Sequence, residues 1–144
     1  MKSPFGFEEY LKKKIVKRKI PNKLRSSDLV EEAKRKFNSL KVMLDKIGLN
    51  DENANDIVEY CYDVMINLTR ARMFSEGFSA SGKGAHEAEI AYLRKLNLSE
   101  VDVKVANQLR YFRNGIMYYG KKFDSEYAQK VIQFLNKIKK ILGE

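Results

Sequence analysis

Residues 99–120 read Ser99-Glu100-Val101-Asp102-Val103-Lys104-Val105-Ala106-Asn107-Gln108-Leu109-Arg110-Tyr111-Phe112-Arg113-Asn114-Gly115-Ile116-Met117-Tyr118-Tyr119-Gly120, and this stretch decides the fold class. Val101, Val105, Leu109, Phe112, Ile116 and Tyr119 step by 4, 4, 3, 4 and 3, the spacing of one face of an α-helix. Ser99 and Asp102 give a capping-box-like start, and Gly120 gives a stop. A second stripe, Asn107, Tyr111, Asn114 and Tyr118, runs beside the apolar one, flanked by Arg110 and Arg113. A merely solvated face would favour Lys and Glu, which gain from i,i+4 pairing. Asn and Tyr are poor helix formers, and Gly115 in mid-helix costs about 1 kcal/mol relative to Ala. Such a sector makes physical sense if something covers it.

The same period extends in both directions. Towards the C-terminus, a helix beginning near Asp124-Ser125 carries Ala128, Val131, Phe134 or Leu135, Ile138 and Leu142. Towards the N-terminus, a helix from about Ala85 to Leu96 carries Ala88, Ala91 and Tyr92. Before it, Asn50 caps a helix with the stripe Ala54, Ile57, Cys61, Val64 and Leu68, continuing towards Phe74. Cys61 lies inside this stripe and reads as a small core residue. Asp28 caps a helix through Leu29, Ala33, Phe37, Leu40, Leu44 and Ile47 that Gly48 stops. Ser3-Pro4 opens a first helix to about Lys19, with Phe7, Leu11 and Ile15 facing the body, and Pro21-Asn22 ends it. No segment alternates with period two for long enough to predict a strand. The predicted fold is all-α: an up-and-down antiparallel helical bundle, with a four-helix core and extra N-terminal and short helices, in a single domain over 1–144.

Composition narrows the class. Of 144 residues, 44% are hydrophobic and 33% charged, which suits a folded domain rather than a disordered chain. One cysteine and one histidine argue against a disulfide framework and a Cys- or His-rich metal site, so no metal and no cofactor is expected. With no membrane-length apolar run and no signal-like start, a cytoplasmic protein without membrane association is expected. The net charge is +9, of which the segment 11–25 carries +8 with no acid. That basic arm fits either phosphate contact or a solvated face.

Two further features carry chemistry. Gly77-x-x-x-x-Gly82-Lys83-Gly84 matches a P-loop except that Gly84 replaces the Ser or Thr that would hold magnesium. A helix rather than a strand is predicted before it, so it reads as an inter-helix loop whose Lys83 can meet a phosphate. His86 is the only side chain with an unperturbed pKa near neutrality, and so the natural group for proton transfer.

At Arg113-Asn114-x-x-x-Tyr118 the sequence resembles the HEPN superfamily (higher eukaryotes and prokaryotes nucleotide-binding domain). The opening Phe7-Glu8-Glu9-Tyr10-Leu11, followed by a basic stretch and Pro21, resembles small prokaryotic members, as does Ser81-Gly82-Lys83-Gly84-Ala85-His86-Glu87-Ala88. The resemblance implies a helical bundle, commonly dimeric, in which an Arg, the polar residue after it and a His four to six positions on line a cleft at the dimer interface. Many members are metal-independent endoribonucleases of toxin–antitoxin pairs. Arg113 and Asn114 match the motif, whereas Tyr118 stands at the His position. A phenol of pKa about 10 is a weak base at neutral pH, so His86 is the alternative proton acceptor. The expected site is Arg113, Asn114, Tyr118 and His86 for chemistry, with Arg110, Lys83, Tyr111 and Asn107 holding a nucleotide or RNA phosphate. The rival expectation is a non-catalytic interaction module that pairs with a minimal nucleotidyltransferase.

Overall fold

The computed structural model describes residues 2–144, except for the side chains of Met117 and Tyr118. In chain order its elements are α1 (Phe7–Lys12), β1 (Val16–Arg18), α2 (Lys23–Lys46), α3 (Ala54–Glu76), β2 (Phe78–Ala80), α4 (Ala85–Tyr92), a 3-10 turn (Leu93–Leu96), α5 (Glu100–Tyr119) and α6 (Ser125–Ile141). The chain is mostly helical, as its periodicity predicts.

Helix α3 is the core element because it is apolar nearly all round. Its predicted stripe of Ala54, Ile57, Cys61, Val64 and Leu68 is buried, and so are Val58 and Met65 on other faces. Burial pushes the Cys61 thiol up to about 12. The other long helices lie against α3, and polar ties at their ends fix their directions. At the start of α2, Asn22 N donates to Phe74 O at 2.9 Å and Lys23 Nζ to Ser75 O at 3.3 Å, so α2 runs antiparallel to α3. Ser125 N donates to Asp51 Oδ1 at the start of α3, and Arg72 donates to Leu142 O near its end, so α6 runs parallel to α3. Helix α5 opposes both. Lys137 Nζ reaches Asp102 at 2.7 Å, and Asn55 Nδ2 reaches Lys121 O at 2.8 Å just beyond the end of α5.

Three sequence expectations need correction. The N-terminal segment is not one helix to Lys19. Lys14 turns the chain with φ +62°, and β1 pairs antiparallel with β2 in the register Val16↔Ala80, Lys17↔Ser79 and Arg18↔Phe78. Three consecutive lysines offer no apolar face to hold a helix, whereas Val16 gains burial in the ribbon. Phe7 is buried and Leu11 and Ile15 pack on the core, so that stripe does face the body. The loop 77–84 therefore contains a strand, and each strand is too short at three residues to show an alternation.

Second, α2 begins at Lys23 rather than after Asp28, because Asn22 Oδ1 accepts from Arg25 N at 3.0 Å and caps it there. The third correction concerns α5. Val101 and Val105 are exposed, while Asp102, Val103, Ala106, Asn107 and Leu109 are buried. The helix is rotated from the apolar stripe towards its polar one. Partners on other elements make that tolerable: Lys137 takes Asp102, and Asn107 Nδ2 donates to Lys2 O at 3.1 Å. A buried polar group so satisfied avoids its desolvation cost. The cap itself follows the sequence, with Ser99 Oγ accepting from Asp102 N at 3.1 Å. Among the described residues, no helix is long and apolar enough to cross a membrane.

Candidate functional site

The ribbon brings together two segments that are far apart in sequence. The basic stretch 11–25 and the loop 77–84 share one edge, and beneath them lies a recess of about 370 Å³. Its walls come from the start of α2 (Arg25, Leu29), the end of α3 (Arg70, Met73, Phe74), β2 (Phe78, Ser79, Ala80) and the start of α4 (Ala85, His86, Glu89). Arg25 stacks over Phe74 with its guanidinium carbon 4.3 Å from the ring centroid, which leaves the cation on an exposed wall. Arg18 lies similarly over Phe78 at 5.2 Å.

Inside the recess, the Glu89 side chain is only 5% exposed. It accepts from Arg70 Nε at 2.5 Å and Nη2 at 3.1 Å, the two-pronged geometry a guanidinium offers a carboxylate. His86, one turn earlier on α4, places Nδ1 3.1 Å from Glu89 Oε1 and 3.2 Å from Arg70 Nη2. An imidazole, a partly buried guanidinium and a buried carboxylate thus meet in one cavity, with the Arg25 guanidinium on its wall. Lys83 is exposed in the turn that leads into α4.

The α5 residues are placed differently. Arg113 turns towards α3, with Nη2 3.5 Å from Asp63 Oδ1 and its guanidinium carbon 5.5 Å from the Tyr62 ring centroid. Its recess is also lined by Asp56 and Glu59. Burial pushes the Glu59 carboxyl up, opposed by Arg113. Lys36 donates to Asp63 as well, at 2.9 Å. Three carboxylates around Arg113 make this recess a poor anion cradle within one chain. Asn114 lines a separate recess with Tyr111, Phe112, Gly115, Tyr119 and Lys121. The structure therefore does not bring Arg113 and Asn114 to one cavity. The Tyr118 side chain lies outside the described residues. Asn107 is buried and accepts from Arg110 Nε at 2.9 Å, so it ties down the N-terminal segment and Arg110.

One link joins the two neighbourhoods. The buried Tyr62 hydroxyl is pushed up to about 12 by burial and by Glu89, and it is lowered by Arg110, Arg113 and Arg70. Of the residues lining this recess, sequence reasoning singled out His86 and counted Arg25 in the basic segment 11–25, but missed Arg70 and Glu89. Glu89 follows His86 by three residues on one helix, the only signal that could have paired them. Nothing in the sequence ties Arg70, sixteen residues before His86, to either. Comparison with family models, curated proteins and solved structures gives no match.

Proposed function

We propose that this chain is an RNA- or nucleotide-binding protein of HEPN-like up-and-down bundle fold, acting as a homodimer, and that it takes phosphate at the recess beneath the ribbon. The observation that supports this is the gathering of Arg25, Arg70 and His86 into one cavity next to the acid-free segment 11–25. Phosphate contacts there supply affinity without sequence reading. Metal-independent RNA cleavage needs a base for the 2′-hydroxyl, an acid for the leaving 5′-oxygen and a cation for the phosphorane. In this reading His86 moves the proton and Arg70 supplies the cation. Arg113 faces three carboxylates where Arg70 faces one, and so has the weaker claim to the phosphate.

The test is incubation of purified protein with single-stranded and structured RNA in EDTA, over a range of salt. Binding falls with salt, Arg25→Ala weakens it on all sequences alike, and His86→Ala abolishes cleavage while binding persists. Cleavage lost in Arg113→Ala or Tyr118→Phe but retained in His86→Ala assigns the chemistry to the α5 motif instead. No salt-sensitive binding in the wild type removes the RNA reading.

A second reading has its own observation. Tyr111 and Tyr119 are 58% and 86% exposed at the end of α5, beside Asn114 and Lys121. Exposed tyrosines suit a protein contact. This face fits the non-catalytic module, docked on a second copy or on a minimal nucleotidyltransferase. Light scattering of the wild type and of Tyr111→Ser/Tyr119→Ser decides whether self-association uses it.

A further inference from the structure

Nδ1 of His86 lies between two groups that make opposite demands. The Glu89 carboxylate can only accept a hydrogen bond, and the Arg70 guanidinium can only donate one. One ring nitrogen cannot satisfy both. If Nδ1 carries the proton, its N–H faces Glu89 Oε1 at 3.1 Å. If it does not, its lone pair faces Arg70 Nη2 at 3.2 Å. The surroundings break the tie. The contact with Glu89 is partly buried and the contact with Arg70 is exposed to solvent. A bare lone pair held 3.1 Å from a carboxylate that is 5% exposed is poorly screened. The same misfit on the Arg70 side is relieved by water. Arg70 Nη2 also has Glu89 Oε1 as acceptor already, at 3.1 Å, so it gains least from the imidazole.

We propose that Glu89 is a positioning residue, accepting the Nδ1 proton of His86 and so holding the imidazole in the tautomer whose Nε2 is free to take a proton. The groups facing the imidazole are Arg70 from α3 and Glu89 from α4, with Arg25 of α2 across the same recess. Glu89 thereby serves both groups: it fixes the direction of the Arg70 guanidinium by two hydrogen bonds and the ring of His86 by a third. The part this gives His86 in RNA cleavage rests on the function proposed above, but the tautomer does not.

His86 is the only histidine, so a chain labelled with ring-15N histidine gives one pair of ring-nitrogen signals with no assignment problem. Long-range proton–nitrogen correlation spectra of the intact protein, above the pH where the ring titrates, show Nδ1 protonated and Nε2 bare. A wild-type spectrum with the proton on Nε2 overturns the proposal without recourse to any variant. In Glu89→Gln the Nε2–H form gains population, while Glu89→Asp moves it back towards the wild type. Where the wild type cleaves RNA, Glu89→Gln slows cleavage about tenfold or more and displaces the pH–rate profile, with RNA affinity within about twofold of wild type. If the wild type shows the expected tautomer and no cleavage, the ribonuclease reading fails and the role of Glu89 stands.

Discussion

Gly77 is where the ribbon, the basic segment and the end of α3 meet, and replacing it tests whether their close approach holds the recess together. Its φ is +86°, and a Cβ there would lie 2.5 Å from the Lys19 carbonyl oxygen. Gly82, five residues on, has φ +77° and nothing within 4 Å of such a Cβ. Alanine at either position must adopt left-handed backbone, which costs about 1–2 kcal/mol. Only Gly77→Ala adds a clash with main chain, and main chain cannot rotate aside. Relief requires β1 to shift, which breaks the 2.7 Å hydrogen bond from Lys19 N to Gly77 O, a further loss of about 1 kcal/mol. The expected destabilisation is about 1–2 kcal/mol for Gly82→Ala and about 2–4 kcal/mol for Gly77→Ala. Urea melts followed by far-ultraviolet circular dichroism read this directly, with the Gly77→Ala midpoint about 1 M below that of Gly82→Ala. Equal midpoints for the two variants would refute the close-approach argument, because both share the left-handed strain and differ only in the clash with Lys19.

Three shorter predictions accompany it. Lys17→Gln/Lys19→Gln on the exposed ribbon flattens the log–log salt dependence of single-stranded RNA binding by about 0.7 for each phosphate left without its lysine, and an unchanged slope makes the basic segment a solvated face. The buried Cys61 thiol, pushed up to about 12, resists alkylation in the native state and reacts only as the chain unfolds, so labelling in increasing urea tracks the circular dichroism transition. Hydrogen bonds from Arg94 hold the Glu100 carboxyl below its ordinary 4.5, and Arg94 also donates to Phe5 O at 2.6 Å and Pro4 O at 2.8 Å. A depressed carboxylate contributes stability that is complete above its unfolded pKa and lost as pH falls through its folded one. Glu100→Gln therefore unfolds at lower urea than wild type at neutral pH, and the two converge as pH drops below 4.5.

Local spacing along the chain dictated the helices and much of the core. The stripes of α3 and α6 were legible because apolar spacing at 3.6 residues per turn is a local property, and burial at Ala54, Ile57, Cys61, Ala128, Val131 and Ile138 follows it. The cap at Ser99 and the start of α6 near Asp124 were legible for the same reason, since each of these side chains accepts from a backbone N–H three residues on. The ribbon was not legible, because β1 and β2 lie some sixty residues apart and each is too short to show a pattern. The buried face of α5 was misread because Asp102 and Asn107 are buried only by virtue of Lys137 and Lys2 on other elements. The recess belongs wholly to tertiary structure. Arg25, Arg70 and Glu89 acquire meaning when three helices converge on His86, and no local rule connects them. Spacing along a chain records which face a helix buries, but which charged groups meet depends on how the helices are docked.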